Sequence, residues 1–291
     1  MSGSQTNIKV MVRGAYDVQK LRIQMGNRIV ANFKTKLGQA PGEDEDVLDD
    51  DGKLILNDLR VRFRKITDGV KTFPRQAKFK GDEVISSYTE LCLLAQYIEL
   101  EQDEDRHFRR LESVLKEYPV YTEFLEKIRG IGPAMAGVIV SEIDISKAKY
   151  PSSLWKYSGL DVAEDGQGRS RKKEHLVTVK YVNSDGEESE RNSITFSPFL
   201  KTKLVGVLGS SFLRAGDNTY SRIYRNYKNR LENHPAHQEK SKGHRHNMAI
   251  RYMVKQFLVD LYKEWRALEG LPVHPPYSES KLGLMHGDKA A

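Results

Sequence analysis

The fold of this chain is best indicated by the segment Arg129-Gly130-Ile131-Gly132-Pro133-Ala134-Met135-Ala136-Gly137, which has apolar runs on both sides. Two glycines separated by one aliphatic residue allow a sharp turn, and the proline suits the first turn of a following helix. Such a turn exposes backbone N–H groups at a helix N-terminus, where a phosphate is favoured. We therefore predict a helix-hairpin-helix that contacts nucleic-acid backbone. The alternative is a glycine-rich connection between helices that binds no ligand.

The composition is that of a basic protein with room for one large or two ordinary domains. The chain has 291 residues, of which 38% are hydrophobic and 30% charged, and its net charge is +7. A basic balance is expected of proteins that bind nucleic acid. The single cysteine, Cys92, excludes an intrachain disulfide and is predicted to be a small buried side chain.

No apolar run reaches the ~20 residues that a membrane span requires. The first residues, Met1-Ser2-Gly3-Ser4-Gln5, do not form a basic segment followed by an apolar one, so we expect no secretory signal. Together with the lone cysteine, these features favour a protein of the cytoplasm with no membrane partner.

Residues 1–120 are predicted to form long antiparallel helices, a coiled-coil-like stalk. Apolar residues recur every four positions from Leu21 through Met25, Ile29 and Phe33 to Leu37, which indicates one buried stripe on a first helix over 7–37. Further helices are expected over 57–71, 82–100 and 103–118. The loop 38–52 between the first two contains seven acids and is predicted to be a disordered surface segment. The spacing of these acids does not fit a calcium loop.

Residues 121–270 are predicted to form a second, helical domain that contains a small β-hairpin. A short helix starts at Pro151, and a glycine-rich basic loop follows it. Residues 175–182 alternate as a strand does, the turn signal 183–186 follows, and 193–196 is the expected partner strand. A long helix over 246–268 closes the domain, and 271–291 is a tail. The predicted fold class is mainly α.

Candidate nucleic-acid contacts combine cations, aromatic rings and flexible backbone. Four cations occupy five positions of the loop 169–173, and residues 220–230 interleave tyrosine with arginine, a mixture that can stack on unpaired bases while pairing with phosphates. Solvated charges and buried tyrosines are the alternatives. The candidate residues are Arg129, Gly130, Gly132, Lys156, Arg169, Arg171, Lys172, Lys173, Tyr220, Arg222, Tyr224, Arg225, Arg245 and Arg251.

Chemical sites are less clearly indicated. Ser170 is the candidate nucleophile, but neither a base nor a third partner is evident near it in the sequence. The four histidines 234, 237, 244 and 246 are read as a mobile loop rather than a zinc site, because no cysteine accompanies them. We expect neither a metal nor a cofactor.

Two segments together carry a family resemblance. The glycine stretch, followed by Tyr150-Pro151-Ser152-Ser153-Leu154-Trp155-Lys156-Tyr157-Ser158-Gly159-Leu160, a glycine-basic loop and an arginine-bearing last helix, resembles the C-terminal half of insertion-sequence-110-type transposases. The resemblance covers about residues 124–268 and implies a coiled coil, a homodimer and a catalytic serine, for which Ser170 is the nearest candidate. The RuvC-like nuclease domain of those transposases is expected to be missing, because this chain begins with a basic helix.

A layout without that nuclease resembles the Tas proteins of TIGR-Tas systems, which carry a coiled coil and a Nop-like RNA-binding domain. The resemblance implies a prokaryotic or phage-encoded protein that binds a guide RNA for pairing with target DNA, and that needs no enzyme activity of its own. Two alternatives stay open. One is a divergent serine-type transposase or recombinase, and the other is a helix-hairpin-helix DNA-binding protein of repair.

Overall fold

A computed structural model describes residues 3–54, 56–57, 73–81 and 85–276. They fall into two compact units, one of residues 10–110 and the other of the described residues on either side of it. The described residues are mainly helical with one small two-stranded antiparallel sheet, which confirms the predicted fold class. None of the helices in the described part has both the length and the apolar character needed to cross a membrane.

Two long helices run antiparallel in the unit of residues 10–110. They are α1, Gly3–Lys36, and α2, Tyr88–Leu115. Arg22 of α1 reaches Tyr97 and Glu104 of α2, whereas Lys36 reaches Glu90. Their buried seam contains, among others, Met25, Ile29, Phe33, Leu91, Leu94, Tyr97 and Ile98.

Three details of this unit differ from the sequence-based prediction. The expected helices over 82–100 and 103–118 are one continuous α2, because no glycine or proline interrupts it. Leu21 is half exposed, since Val12, Ala15 and Met25 are the buried apolar positions in this part of α1 and Arg22 forms a polar layer next to Leu21. Cys92 is exposed rather than buried, because Leu91 and Leu94 take the inward positions. The predicted helix over 57–71 lies, apart from its first residue, outside the described residues.

The acidic loop is folded rather than disordered. A single 3₁₀ turn covers Glu45–Val47, and the Asp44 side chain accepts a hydrogen bond from the Glu45 N–H. Glu45 pairs with Lys34 at 2.7 Å, and Leu48 is buried. The acids therefore flank one apolar anchor, which fixes the loop.

The second unit is built from short helices around one long helix. In chain order the helices are α3 (Pro119–Glu123), α4 (Pro133–Glu142), α5 (Pro151–Tyr157), α6 (Pro198–Thr202), α7 (Gly209–Arg214), α8 (Thr219–Asn233) and α9 (Lys242–Leu268). A π-helical segment, Lys203–Leu208, joins α6 to α7.

Helix α9 is the central element of this unit. Its predicted apolar face is confirmed, because Ile250, Met253, Val254, Phe257, Leu258, Leu261, Tyr262 and Trp265 are all buried. Tyr262 donates a hydrogen bond to the Lys149 carbonyl, and the buried Arg266 donates to the carbonyls of Ile145 and Ala148. These bonds tie the segment before α5 to the C-terminal half of α9.

The β-hairpin lies within the second unit and is exposed on both faces. Strands β1, Val177–Val182, and β2, Glu188–Ser193, pair antiparallel, with Val182 opposite Glu188 and Val177 opposite Ser193. The partner strand was predicted at 193–196, and that prediction is wrong. A turn over 183–187 places residue 188 opposite 182, and a mostly exposed strand needs no apolar alternation to mark it.

Candidate nucleic-acid interface

The glycine turn is half open to solvent. Gly130 adopts a φ of 102°, a region that favours glycine, and its carbonyl accepts a 2.7 Å hydrogen bond from the Ser211 hydroxyl. Gly132 is exposed and caps α4 in an extended conformation, with Pro133 in the first turn. A 3₁₀ turn, Leu125–Lys127, precedes the turn rather than the expected helix. The backbone can therefore meet a phosphate from one side only.

Charges of both signs surround this turn. A cavity of about 480 Å³ is lined by Lys127, Arg129, Arg222 and Lys263, and also by the acids Asp260 and Glu264. Burial raises the pKa of Asp260, which accepts a hydrogen bond from the Tyr220 hydroxyl at 3.1 Å. The mixed charge makes this a weaker candidate for phosphate than the surface described next.

The basic loop presents three of its four cations to solvent. Arg171, Lys172 and Lys173 are exposed. Arg169 is instead half-buried and pairs with Asp161 at 2.9 Å, so it fixes the loop to the segment after α5. Lys172 also donates from Nζ to Gln167 Oε1 at 3.1 Å, and the three exposed cations lie along one short segment that a polyanion can approach.

Ser170 has the base and the third partner that sequence reasoning did not find. Its Oγ lies 2.8 Å from Nδ1 of His175, and Nε2 of that buried histidine lies 3.0 Å from Asp165 Oδ2. The His175 hydrogen bond lowers the pKa of Asp165, and the Gln167 N–H acts in the same direction. A serine, an imidazole and an orienting carboxylate in this order are the parts of an activated nucleophile.

The same contacts also hold the loop together. The Ser170 N–H donates to His175 Nδ1 at 2.9 Å, and the Lys172 N–H donates to Ser170 Oγ at 3.3 Å. The signal available in the sequence was the spacing, since Asp165 precedes Ser170 by five residues and His175 follows it by five.

A group of partly buried cations lies beneath this loop. Lys201 donates to the Arg169 carbonyl, and Arg251 donates to the Gly159 carbonyl at 3.4 Å. Lys255 lies over the Trp155 ring, 5.2 Å from its centroid. Lys201, Arg251 and Lys255 are together called the cation cluster. The negative charge of Asp161 favours the protonated form of all three members. The same carboxylate also forms an ion pair with Arg169.

Burial and mutual repulsion act on the cluster. Burial, and after it the charge of Arg251, lowers the pKa of Lys201 to about 8, against the opposing effect of Asp161. The same two causes lower the pKa of Lys255, and burial lowers that of Arg251. A lowered pKa means that nearby negative charge does not fully balance the positive charge of the protonated group. A bound anion would therefore stabilise the protonated forms.

Two members of the cluster, Arg251 and Lys255, line a groove of about 570 Å³. The loop residues 162 and 166–168 form one side, and Tyr227 of α8 with Tyr252 of α9 form another. Of the described residues that line it none is acidic, whereas Lys240, His244, Arg251 and Lys255 are basic. A Cβ on Gly168 would lie 2.6 Å from an Arg251 nitrogen, so glycine allows the loop backbone to approach the guanidinium. We name this surface the cationic groove.

The candidate tyrosines have different environments. Tyr220 and Tyr224 are buried, and Tyr220 packs between Phe212 and Phe257, so these two are core residues without a ring face for a base. Tyr227 and Tyr252 instead stack on each other with centroids 4.0 Å apart and line the cationic groove. Helical spacing does not distinguish these cases, because the inward direction depends on how α8 packs against α9.

Several candidate cations have local partners instead. Arg222 and Arg225 are exposed and both pair with Asp217. Arg245 donates to the carbonyls of His237, Gln238 and Lys240, so it fixes the connection between α8 and α9.

Lys156 is exposed at the end of α5, and Arg129 is exposed beside the glycine turn. Among the described residues, no three His, Cys, Asp or Glu side chains are placed to hold a metal ion.

No protein-family model, curated protein or solved structure matches this chain.

Proposed function

We propose that this chain binds a guide RNA and presents it for pairing with DNA. Base pairing would then read the sequence, while the protein supplies a cationic surface for the backbone. The observation that carries nucleic-acid binding is the lining of the cationic groove, because its described residues include the basic Lys240, His244, Arg251 and Lys255 and no acid, which favours a polyanion. The guide role follows from the resemblance to Tas proteins and to insertion-sequence-110-type transposases.

The test is to identify what the protein carries in the cells that encode it. The tagged full chain is purified at low salt, and the nucleic acid that copurifies is extracted, treated separately with RNase and DNase, and sequenced. We expect one small RNA of defined sequence. Random DNA fragments would overturn the guide role and favour the repair-type alternative. Copurification of neither polymer, with no binding at 50 mM salt, would overturn nucleic-acid binding altogether.

A second candidate function is strand transfer through a serine, and the Ser170–His175–Asp165 arrangement favours it. In such a step Ser170 Oγ forms a bond to phosphorus, His175 Nδ1 takes the hydroxyl proton, and the bond from phosphorus to the leaving sugar oxygen breaks. That oxygen then receives a proton, and Asp165 stabilises the charged imidazole. The product is a phosphoserine ester between the chain and one DNA end.

Two variants separate this candidate from a loop-holding role. Ser170→Ala removes the nucleophile but leaves His175 and Asp165 in place, whereas His175→Gln removes the base and loosens the loop. If the serine reacts, wild type forms a covalent protein–DNA species on gels and Ser170→Ala forms none, while both bind nucleic acid equally. If wild type forms no such species on supercoiled or nicked DNA, the strand-transfer candidate fails.

A further inference from the structure

Two chemically different walls meet in the cationic groove. Arg251 and Lys255 line the groove with positive charge, and the stacked pair of Tyr227 and Tyr252 lines it with aromatic surface. We propose that this groove is a site for an unpaired nucleotide, with its phosphate against Arg251 and Lys255 and its base against the tyrosine pair. The inference rests on the nucleic-acid binding proposed above, and it adds which form of nucleic acid this surface takes.

The charge and length of the Arg251 and Lys255 side chains suit them to contact a phosphate. Arg251 and Lys255 lie one turn apart on α9, so their side chains extend over the same face. Arg251 uses one terminal nitrogen for the Gly159 carbonyl, and its planar fork carries further donors that suit phosphate oxygens. Lys240 and His244 add basic groups at the rim. A phosphate here would therefore meet positive charge from several directions.

The stacked tyrosine pair provides the surface on which a base can stack. The Tyr227 and Tyr252 rings are nearly parallel, with an interplanar angle of 9°, and both side chains are half-buried and line the groove. Their mutual stacking fixes both rings, so an incoming base meets a rigid platform. Stacking of a base on such a platform is tolerant of sequence, since every base has a π-face.

The size and shape of the groove favour an unpaired nucleotide over a duplex. Its volume of about 570 Å³ is in the range of pockets that hold one small ligand. Bases inside a duplex have their faces covered by neighbouring bases, so they do not reach a ring recessed between a loop and two helices. Unpaired bases in loops, bulges and ends can be turned out for this kind of contact.

The direct test is photo-crosslinking with the full chain. A 12-nucleotide RNA containing 5-iodouridine is bound to the nucleic-acid-free protein, irradiated, and the adduct is located by mass spectrometry. We expect the crosslink at Tyr252 or Tyr227, and its loss when the RNA is annealed to its complement. Tight binding of the single strand with crosslinks elsewhere would overturn the groove site while leaving the proposed function standing.

Variants test the two walls separately. Arg251→Gln with Lys255→Gln should flatten the plot of log affinity against log salt by about 1.4 units for single-stranded RNA, at 0.7 per lost phosphate contact. Lys147→Gln with Lys180→Gln is the matched control, because it removes two exposed charges outside the groove. Lys255→Gln alone should flatten the slope by about 0.7 and covers the case in which the double variant does not fold.

The aromatic wall has its own paired variants. Tyr252→Leu should weaken single-strand binding by about 5- to 100-fold without changing duplex binding, and Tyr252→Phe should restore it, because stacking needs the ring and not the hydroxyl. Equal loss of single-strand and duplex binding, or no loss with Tyr252→Leu, would overturn the base platform. Absence of RNA binding by wild type would instead contradict the proposed function itself.

Discussion

At the scale of single residues, the second unit depends on groups held in unusual surroundings. Gly130 has a positive φ, and Ser211 anchors its carbonyl. Lys201 is a partly buried ammonium that donates to a backbone carbonyl and lies above the Phe196 ring. His175 is buried with a hydrogen-bond partner at each ring nitrogen. Substitution of such a residue is therefore expected to change the free energy of unfolding measurably.

Gly130→Ala is expected to destabilise the second unit by about 1–3 kcal/mol, because alanine is strained at a φ of 102° and its Cβ would lie 3.1 Å from the Phe212 ring. Gly132→Ala is the control, since its backbone is extended and a Cβ there meets open space, and its effect should stay within about 0.5 kcal/mol. Urea unfolding measures both. Equal losses in the two variants would show that the glycine turn is not strained.

Lys201 makes stability depend on pH in a defined direction. Its pKa is about 8 in the folded chain and 10.5 ordinarily, so between these values the unfolded chain binds more protons and the free energy of unfolding rises with pH. In Lys201→Met this contribution is absent. We expect the stability of wild type relative to the variant to increase from pH 8 to pH 10 in urea unfolding at fixed ionic strength. Parallel pH profiles would contradict a lowered pKa.

At the scale of elements, the pairing of α1 with α2 contains a polar layer within an apolar seam. Glu104 accepts hydrogen bonds from Gln19 and Arg22, and Arg22 also donates to the Tyr97 hydroxyl at 3.0 Å. The bond to Glu104 raises the pKa of Arg22 above its usual range. A hydrophobic helix pair can slide by one turn, and a single buried ionic layer opposes that shift.

Glu104→Ala should lower the free energy of unfolding by about 3 kcal/mol, because it leaves Arg22 charged in the helix seam without its carboxylate. The double variant Arg22→Met/Glu104→Leu should recover most of this loss, because an apolar pair fits an apolar seam. Circular dichroism during urea titration provides the measurement. A double variant as unstable as Glu104→Ala would mean that the layer contributes net stability and not only register.

At the scale of the whole molecule, the chain combines a long-helix unit with a compact basic unit. The unit of residues 10–110 has a core in the seam between two helices, whereas the second unit has its core around α9. In the second unit the Asp161–Arg169 pair holds the loop that carries the exposed cations 171–173, and the Arg169 carbonyl accepts a hydrogen bond from Lys201 of the cation cluster. Binding by this protein is therefore expected to respond strongly to salt.

Replacing Arg171, Lys172 and Lys173 by alanine should weaken binding and flatten the salt slope by up to about 3 units on duplex and about 2 on single strands. The three residues are exposed and their removal leaves Ser170, His175 and Arg169 in place, so the fold is expected to persist. Fluorescence anisotropy over 50–300 mM salt measures the slope. A slope equal to that of wild type would exclude this loop from the interface.

Features that arise from local periodicity were predictable from the order of the residues. The sequence identified the mainly helical class, the apolar face of α9, the turn at Gly130 and the existence of a hairpin, because each depends on residues close in the chain. The sequence-based predictions were wrong where one pattern is compatible with more than one packing arrangement. Helical spacing did not show that Tyr220 and Tyr224 are buried, and alternation did not identify Glu188–Ser193 as a strand, because that strand is exposed.

Which distant groups meet depends on how the folded chain packs. Lys201, Arg251 and Asp161 come from three separate segments, and no spacing in the sequence indicates that they share one partly buried region. The Ser170–His175–Asp165 contacts lie within eleven residues, yet they depend on the path of a glycine-containing loop that has no period to read. Charge, burial and distance combine only after the chain has folded, because each pKa and each contact is set by neighbours that the sequence order does not specify.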